Sequence, residues 1–157
     1  MRRGARSESV ARMQPVLQLI KRGLATSDAR DLDAAMADQA PDVVWETPAG
    51  VLHGPDEVRA FIEPFHVACP DGRHEVVHEY TVDENTALVE GRWSGTHTGP
   101  LATPQGEIPA TGRRVELPFV VIAQRKPGTD LAARVAIYQD MLGFMAQIGA
   151  LPEPATA

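Results

Sequence analysis

The sequence lacks several features on which common classes of protein depend. It contains one cysteine, Cys69, so no internal disulfide can form and a disulfide-built secreted scaffold is excluded. Basic residues are fewer than acidic ones, 15 against 21, and the net charge of -6 argues against a dedicated nucleic-acid binder, which usually carries a basic surface. No run of about 18 apolar residues is present, so the sequence predicts no membrane span.

Motifs for phosphates, nucleotides and an activated serine are also missing. The chain has no Gly-x-Gly-x-x-Gly, no phosphate loop and no Gly-x-Ser-x-Gly. Among its five histidines, His74 and His78 are four residues apart, but in a strand this spacing separates them by roughly 13 Å, too far for neighbouring ligands of one ion. The sequence therefore predicts neither a metal nor an organic cofactor.

What the sequence does contain is an ordinary globular composition. Its 157 residues are 43% hydrophobic and 23% charged, which suits one domain with its own core. We predict a solvated, disordered tail over residues 1–12, a single domain over 13–150 and a second tail over 151–157. The basic first residues are not followed by an apolar segment, so no secretory or twin-arginine leader is expected and the protein is predicted to be cytoplasmic.

Hydrophobic periodicity predicts mostly helices first and strands later. Helical spacing of apolar residues predicts a helix that begins near Pro15, a second short helix capped by Ser27, and a third that begins at Gly54 with Pro55 in its first turn. A short strand precedes the third helix and a last helix covers 141–148. Apolar and β-branched runs predict strands over 43–47, 73–82, 86–98, 113–125 and 132–138.

This order of elements indicates an α+β fold. Turn residues at 83–85 and 126–130 join the four long strands as two hairpins, which makes the sheet antiparallel. We expect a curved antiparallel sheet packed against three N-terminal helices. The concave face of such a sheet encloses a pocket for a small molecule.

Asp140 is the first candidate for acid/base chemistry. It follows a strand and is surrounded in sequence by Met141, Leu142 and Phe144, and an apolar neighbourhood raises the pKa of a carboxyl group. The alternative is that Asp140 is the N-cap of the last helix and accepts hydrogen bonds from its free amides. The sequence leaves both interpretations open.

His97 is the second candidate, because by strand alternation it shares a face with Trp93. An imidazole carries protons near neutral pH, but a structural histidine that holds the following loop is the alternative. The candidates for substrate contact are the aromatic side chains of the predicted sheet, which form either a wall against a flat ligand or plain core. These residues are Trp45, Trp93, Phe119 and Tyr138.

Several segments together resemble a known family. They are Gly-Thr-His-Thr-Gly at 95–99, Thr-Gly-Arg-Arg-Val at 111–115, and Asp140 followed by Gln-Ile-Gly at 147–149. Gly-Pro-Asp-Glu-Val at 54–58 and Pro-Asp-Gly at 70–72 extend the match. With these segments, the chain resembles the SnoaL-like polyketide cyclase, or ester cyclase, family of the nuclear transport factor-like superfamily over residues 16–149.

The resemblance implies a cone-shaped fold with three helices over a curved sheet, a homodimer, and an internal cavity without metal or organic cofactor. It also implies that Asp140 takes a proton from a polyketide ester, whose carbanion then closes a ring by intramolecular aldol attack. The chain departs from the family pattern at 134–137, which is largely apolar where the family has polar residues, and the strand at 117–123 lacks the cyclases' histidine. Asp140 therefore remains the main acid/base candidate, with His97 second.

Three functions follow from these observations. The first is a cofactor-independent cyclase, isomerase or lyase that acts on a hydrophobic carbonyl compound, such as an aromatic polyketide-like molecule. The second is a protein that binds an apolar ligand without catalysis, which the apolar segments 117–123 and 135–138 favour. The third is a dimerising accessory subunit. Because one fold hosts many functions, the residues that face the cavity must decide between them.

Overall fold

The computed structural model describes residues 3–151, with side chains from residue 15 onward. Within this range the chain forms four helices and eight strands. The helices are α1 (Arg3–Asp28), α2 (Leu32–Ala37), α3 (Gly54–Ala68) and α4 (Met141–Gln147). The strands are β1 (Gln39–Thr47), β2 (Gly50–His53), β3 (Arg73–Thr81), β4 (Thr86–Thr96), β5 (Leu101–Thr103), β6 (Gly106–Ile108), β7 (Arg114–Arg125) and β8 (Ala132–Gln139).

Six of the strands form one curved, unclosed sheet in the order β2-β1-β8-β7-β4-β3. Its neighbours are antiparallel except β1 and β8, which run parallel, with Glu46 opposite Ala136. The expectation of a wholly antiparallel sheet is therefore wrong for this pair. A parallel neighbour requires a long crossover connection, and the chain between β1 and β8, which includes α3 and the other four strands of this sheet, supplies it.

The first three helices pack on the sheet, and the predicted α+β class is confirmed. Helix α1 contacts β3, β4 and β7, whereas α3 contacts β1 and β2. The apolar face of α1, with Val16, Leu19 and Ile20, is buried against the sheet side chains Val89 and Phe119. Among the described residues, no helix is long and apolar enough to cross a lipid bilayer.

The first helix differs from its predicted start. It begins at Arg3, so residues 3–12 of the predicted tail are helical and Pro15 lies inside the helix; residues 1–2 and 152–157 lie outside the described range. Ser27 is not a cap, because α1 continues to Asp28 and the chain then reverses at Arg30, whose φ of 61° is left-handed. The next helix is capped instead by Asp31, whose carboxylate accepts a hydrogen bond of 3.0 Å from the Ala34 amide.

The long strands agree with the period-two pattern to within two residues at each end, and both predicted hairpin turns are confirmed. The β1–β2 and β5–β6 hairpins were not predicted, because strands of three or four residues are too short to show a period. Helix α3 contains Pro64 and continues to Ala68.

Candidate functional site

A cavity of ≈ 160 Å³ lies between α1, α2, α3 and the concave face of the sheet. A cavity of about 150 Å³ is enough to hold a benzene ring, so this one has room for a single ring without rearrangement. Most of its wall is apolar, and three predicted contact residues, Trp45, Trp93 and Phe119, belong to it. Polar side chains are confined to a small group: Ser27, Arg30, Gln39, His66, His74 and Gln139.

The aromatic side chains of the wall are held by specific neighbours. The Trp45 indole N–H donates to Gln39 Oε1 at 2.9 Å, which fixes the orientation of the ring. Trp93 fits against Gly72 and Gly95, where an added Cβ would come within 2.9 Å and 3.0 Å of the indole. Both glycines are therefore required by the close approach of Trp93. A wall of fixed rings suits a flat, apolar ligand.

His74, a residue of this wall, is paired with Asp28. Asp28, the last residue of α1, accepts hydrogen bonds from the backbone N–H of His74 at 3.0 Å and from its ring Nδ1 at 2.6 Å. Burial favours a higher pKa for the Asp28 carboxyl, but these two bonds outweigh burial and keep the pKa below its usual value of 3.8. Because an ionised carboxylate only accepts, Nδ1 carries the proton, and Nε2 of the neutral ring keeps its lone pair.

The His74 ring is fixed from a second direction. It meets Phe119 edge-on, with ring centroids 5.2 Å apart and planes at 88°. Within the described part of the chain, the Nε2 atom has no hydrogen-bond partner. The pair therefore presents an oriented, unengaged proton acceptor in the wall of an apolar cavity, which is the arrangement that general base catalysis requires.

His66 and Ser27 form a second polar pair beside the first. Ser27 Oγ lies 3.0 Å from His66 Nε2. Burial, with the positive charge of Arg30 nearby, lowers the pKa of His66 from 6.5 to about 4. This imidazole is neutral at physiological pH and is a weak base, so it is poorly suited to activate Ser27 as a nucleophile.

Asp140 does not line this cavity. It is the N-cap of α4, where its exposed carboxylate accepts a hydrogen bond of 2.7 Å from the Gly143 amide. It borders a second, more open cavity of ≈ 550 Å³ together with Tyr138, which is 58% exposed. Strand alternation explains the position of Tyr138, because its neighbours Ile137 and Gln139 point to the cavity side.

His97 is fully buried but also lies outside the cavity. Its backbone bonds Arg113, Thr111 and Gly112, and its ring Nδ1 lies 3.0 Å from Thr111 Oγ1. Desolvation lowers the pKa of the ring below 6.5. These contacts are those of a histidine that holds the loop after β4. Strand β4 ends at Thr96, so strand alternation does not extend to His97 and the ring does not share a face with Trp93.

The sequence reasoning missed Asp28 and His74. Helical periodicity could have placed Asp28 near the cavity. Ile20, Leu24 and Ser27 lie at helical spacing on the cavity side, and Asp28 is four residues after Leu24. His74 occupies an inward position of β3, whose burial alternates with exposure over its first five residues. Their pairing joins positions 46 residues apart and has no local pattern.

The chain thus combines a curved α+β fold, an apolar cavity and a half-buried Asp–His pair, an arrangement typical of the class of proteins with an enclosed pocket. The particular family follows from its sequence model: the SnoaL-like domain matches residues 20–129, and the chain belongs to that family. No curated protein matches the chain. In the part of the chain with described side chains, no three His, Cys, Asp or Glu residues are grouped so that they could hold a metal ion.

Solved structures share the fold. A candidate SnoaL-like polyketide cyclase from Jannaschia sp. CCS1 has a TM-score of 0.73 at 21% identity, covering 92% of this chain and 95% of that one. TsrD from Streptomyces laurentii has a TM-score of 0.72 at 27% identity, with coverages of 88% and 97%. TerC, co-crystallised with polyporic acid, has a TM-score of 0.64 at 18% identity, with coverages of 86% and 98%.

Proposed function

We propose that the protein is a cofactor-independent acid/base enzyme that removes a proton next to the carbonyl group of a hydrophobic substrate. His74 Nε2 is the base and Asp28 is its positioning residue. The observation that carries this proposal is the 2.6 Å contact between the Asp28 carboxylate and His74 Nδ1 in the cavity wall. The proposal moves the base from Asp140 and His97, which lie outside the cavity, to His74.

The chemical step is a proton transfer from carbon to nitrogen. The C–H bond beside the carbonyl breaks, its electron pair forms an enolate, and the proton becomes the Nε2 proton of an imidazolium. The Asp28 carboxylate stabilises this cation through Nδ1. The enolate carbon then attacks a second carbonyl of the same folded molecule, and the alkoxide that forms takes the proton back from the imidazolium, which completes cyclisation. Return of the proton to a different atom of the enolate gives isomerisation instead, and either route regenerates neutral His74.

The apolar wall supports this chemistry in two ways. Trp45, Trp93 and Phe119 form a surface against which a folded aromatic substrate can be held with its reacting carbons close together, and proximity supplies much of such a rate. The same side chains exclude water, which strengthens the interaction of the enolate with nearby positive charge. Membership of the SnoaL-like family and the polyporic acid bound by TerC agree with a small cyclic ligand.

The proposal includes a homodimer formed through the outer face of the sheet. Tyr80 and Tyr138 are 46% and 58% exposed, and Val77 is 52% exposed. A surface in contact with water alone seldom exposes several large apolar side chains together, so we expect a second subunit to cover them. Sedimentation equilibrium tests this part, and a monomer at every concentration would contradict it.

Deuterium exchange tests the base assignment. The probe is an enolisable aromatic β-ketoester such as ethyl benzoylacetate, with loss of its α-proton followed by NMR in D₂O. We expect the wild-type protein to accelerate the exchange and His74→Gln to reduce the acceleration about 10²- to 10⁴-fold, the usual contribution of a general base. His78→Gln, on the exposed part of the same strand, is the matched control and should keep the wild-type rate.

Asp28→Asn separates the base from its positioning residue. An amide cannot stabilise the imidazolium as a carboxylate does, so we expect a lower rate and an altered pH profile of the exchange. A folded His74→Gln protein that retains full exchange would overturn the assignment.

A protein that binds without catalysis is the second candidate, because most of the cavity wall is apolar and Asp140 is occupied as a cap. Under this alternative, the wild-type protein binds the ketoester and leaves its exchange rate at the buffer value. The half-buried Asp28–His74 pair is the feature that this alternative leaves unexplained.

A further inference from the structure

Arg30 is a cationic side chain of the cavity wall without an acidic partner. Its Nη1 donates to the carbonyl oxygens of Ser27 at 3.1 Å, Asp28 at 3.2 Å and Gly72 at 3.3 Å, and its Nη2 donates to that of Cys69 at 2.8 Å. No carboxylate of the described residues lies within ion-pair distance of it. Its Nε–H has no acceptor in the same part of the chain but is fully buried, whereas Nη2 has two N–H bonds and only the Cys69 carbonyl as acceptor there.

The backbone and its neighbours hold this guanidinium in place. Arg30 itself has a left-handed φ of 61°, a conformation that is unfavourable for a residue other than glycine. Gly72 leaves room for the side chain, since an added Cβ would lie 3.2 Å from Arg30 Nη2 and 2.9 Å from the Trp93 ring. The guanidinium is therefore fixed beside an aromatic wall residue, although a buried donor without an acceptor is itself unfavourable.

The charges of the wall change when a proton is transferred to His74. Before transfer, the negative Asp28 and positive Arg30 balance each other, because His66 is neutral with a pKa of about 4. After transfer, Asp28 is paired with the imidazolium of His74. The positive charge of Arg30 then has no counterpart in the wall, and a negatively charged oxygen of the ligand restores the balance.

We propose that Arg30 binds an anionic oxygen of the ligand through the N–H of Nη2 that the Cys69 carbonyl leaves free. The preferred ligands are then flat, conjugated molecules with an acidic hydroxyl group, such as a phenol or an enolised β-dicarbonyl compound, bound in the ionised form. This inference rests on the proposed function for the identity of the site. In that reaction, Arg30 stabilises the enolate oxygen that forms when His74 removes the proton.

A chromogenic phenol tests the inference without turnover. 4-Nitrophenol fits a single-ring cavity, and its phenolate absorbs in the visible range whereas the neutral phenol does not. At a pH slightly below the solution pKa of the phenol, we expect the wild-type protein to bind it with appearance of the phenolate band. We expect the anion to bind at least about tenfold more tightly than 4-nitroanisole, a neutral analogue, which corresponds to about 1.4 kcal/mol.

Three variants identify the group responsible. Arg30→Gln should abolish the phenolate band and the preference for the anion, while Arg30→Lys, which keeps the charge, should retain part of both. Arg114→Gln removes the same charge from an exposed position and should bind as the wild type does. If Arg30→Gln does not fold, the wild-type protein and Arg30→Lys still test the proposal. Binding of the phenol in its neutral form by the wild-type protein would overturn it.

The two proposals fail in different ways. Loss of deuterium exchange in every form of the protein, with the phenolate band retained, would remove the base assignment and leave the role of Arg30. Retained exchange with equal binding of phenol and nitroanisole, or a phenolate band that persists in folded Arg30→Gln, would overturn the role of Arg30 alone.

Discussion

Two aspartates illustrate how position determines the chemistry of one functional group. Asp140 is exposed and accepts a bond from the Gly143 amide, whereas Asp28 is partly buried and accepts two bonds from His74. Only the second carboxylate faces a group that can take a proton from a ligand. An N-cap stabilises its helix but needs no access to the cavity.

Substitution of Asp140 separates these roles experimentally. Asp140→Ala removes the cap and should lower the free energy of unfolding by about 1 kcal/mol, while Asp140→Asn, which also caps well, should change it little. Both proteins should keep the wild-type rate of deuterium exchange. Urea denaturation and the ketoester assay measure the two effects, and loss of exchange in a stable Asp140→Asn protein would restore Asp140 as the base.

The predictability of the site also depends on single residues. Trp45, Trp93 and Phe119 were candidates because they are aromatic residues of the predicted sheet, and all three belong to the cavity wall. Asp28 and His74 were missed because each has a polar side chain at the end of an element, where polar residues are ordinary. Only the folded chain brings the two together, across 46 residues.

At the scale of elements, the β3–β4 pair fixes the position of His74. The register of this pair shifts between Val76 and His78, and Gly91 of β4 lies opposite Val76. A Cβ at Gly91 would overlap the Glu75 carbonyl oxygen and approach the Phe119 ring to 3.0 Å. The two strands can therefore approach so closely only with glycine at this point.

Two glycine substitutions should have opposite effects on stability. Gly91→Ala should lower the free energy of unfolding by about 2–3 kcal/mol, as overpacking of a close contact does. Gly23→Ala should raise it by about 0.5–1 kcal/mol, because Gly23 lies inside α1 and an added Cβ meets nothing within 4 Å. Thermal and urea unfolding measure both, and equal stabilities for the two variants would contradict the packing described for β3 and β4.

The order and class of the elements were also predicted more fully than their connections. The four long strands show a clear period, and their two hairpin turns carry the expected turn residues. The parallel pairing of β1 with β8 leaves no trace in either strand, since a partner in a sheet is chosen by the packing of the whole molecule. Helix α1 was placed too late because Pro15 was taken as a helix start.

For the whole molecule, the buried histidines predict how stability depends on pH. Burial first, and then the positive charge of Arg30, lower the pKa of His66 to about 4, whereas an unfolded histidine titrates near 6.5. Between these values the unfolded chain binds more protons than the folded chain. The free energy of unfolding should therefore fall as the pH falls from about 6.5 to about 4.

His66→Gln tests this dependence, because glutamine can still bond Ser27 but does not titrate. The variant should show a shallower loss of stability between these pH values in urea denaturation, with a residual slope from His97, whose pKa is also lowered. The lowered pKa of Asp28 acts in a separate range, below 3.8, where protonation of its carboxyl removes further stability. Identical slopes for wild type and variant would contradict a buried, neutral His66.

The parallel pair of strands has a consequence for the order of synthesis. Strand β1, which carries Trp45, leaves the ribosome early, but its partner in β8 follows about 90 residues later. Until β8 arrives, one edge of β1 has no neighbour, and an open strand edge is a site for pairing with other chains. The cavity thus acquires its last wall only when β8 has been synthesised. No ligand can therefore bind in it, and stabilise the fold, while that edge of β1 is still exposed.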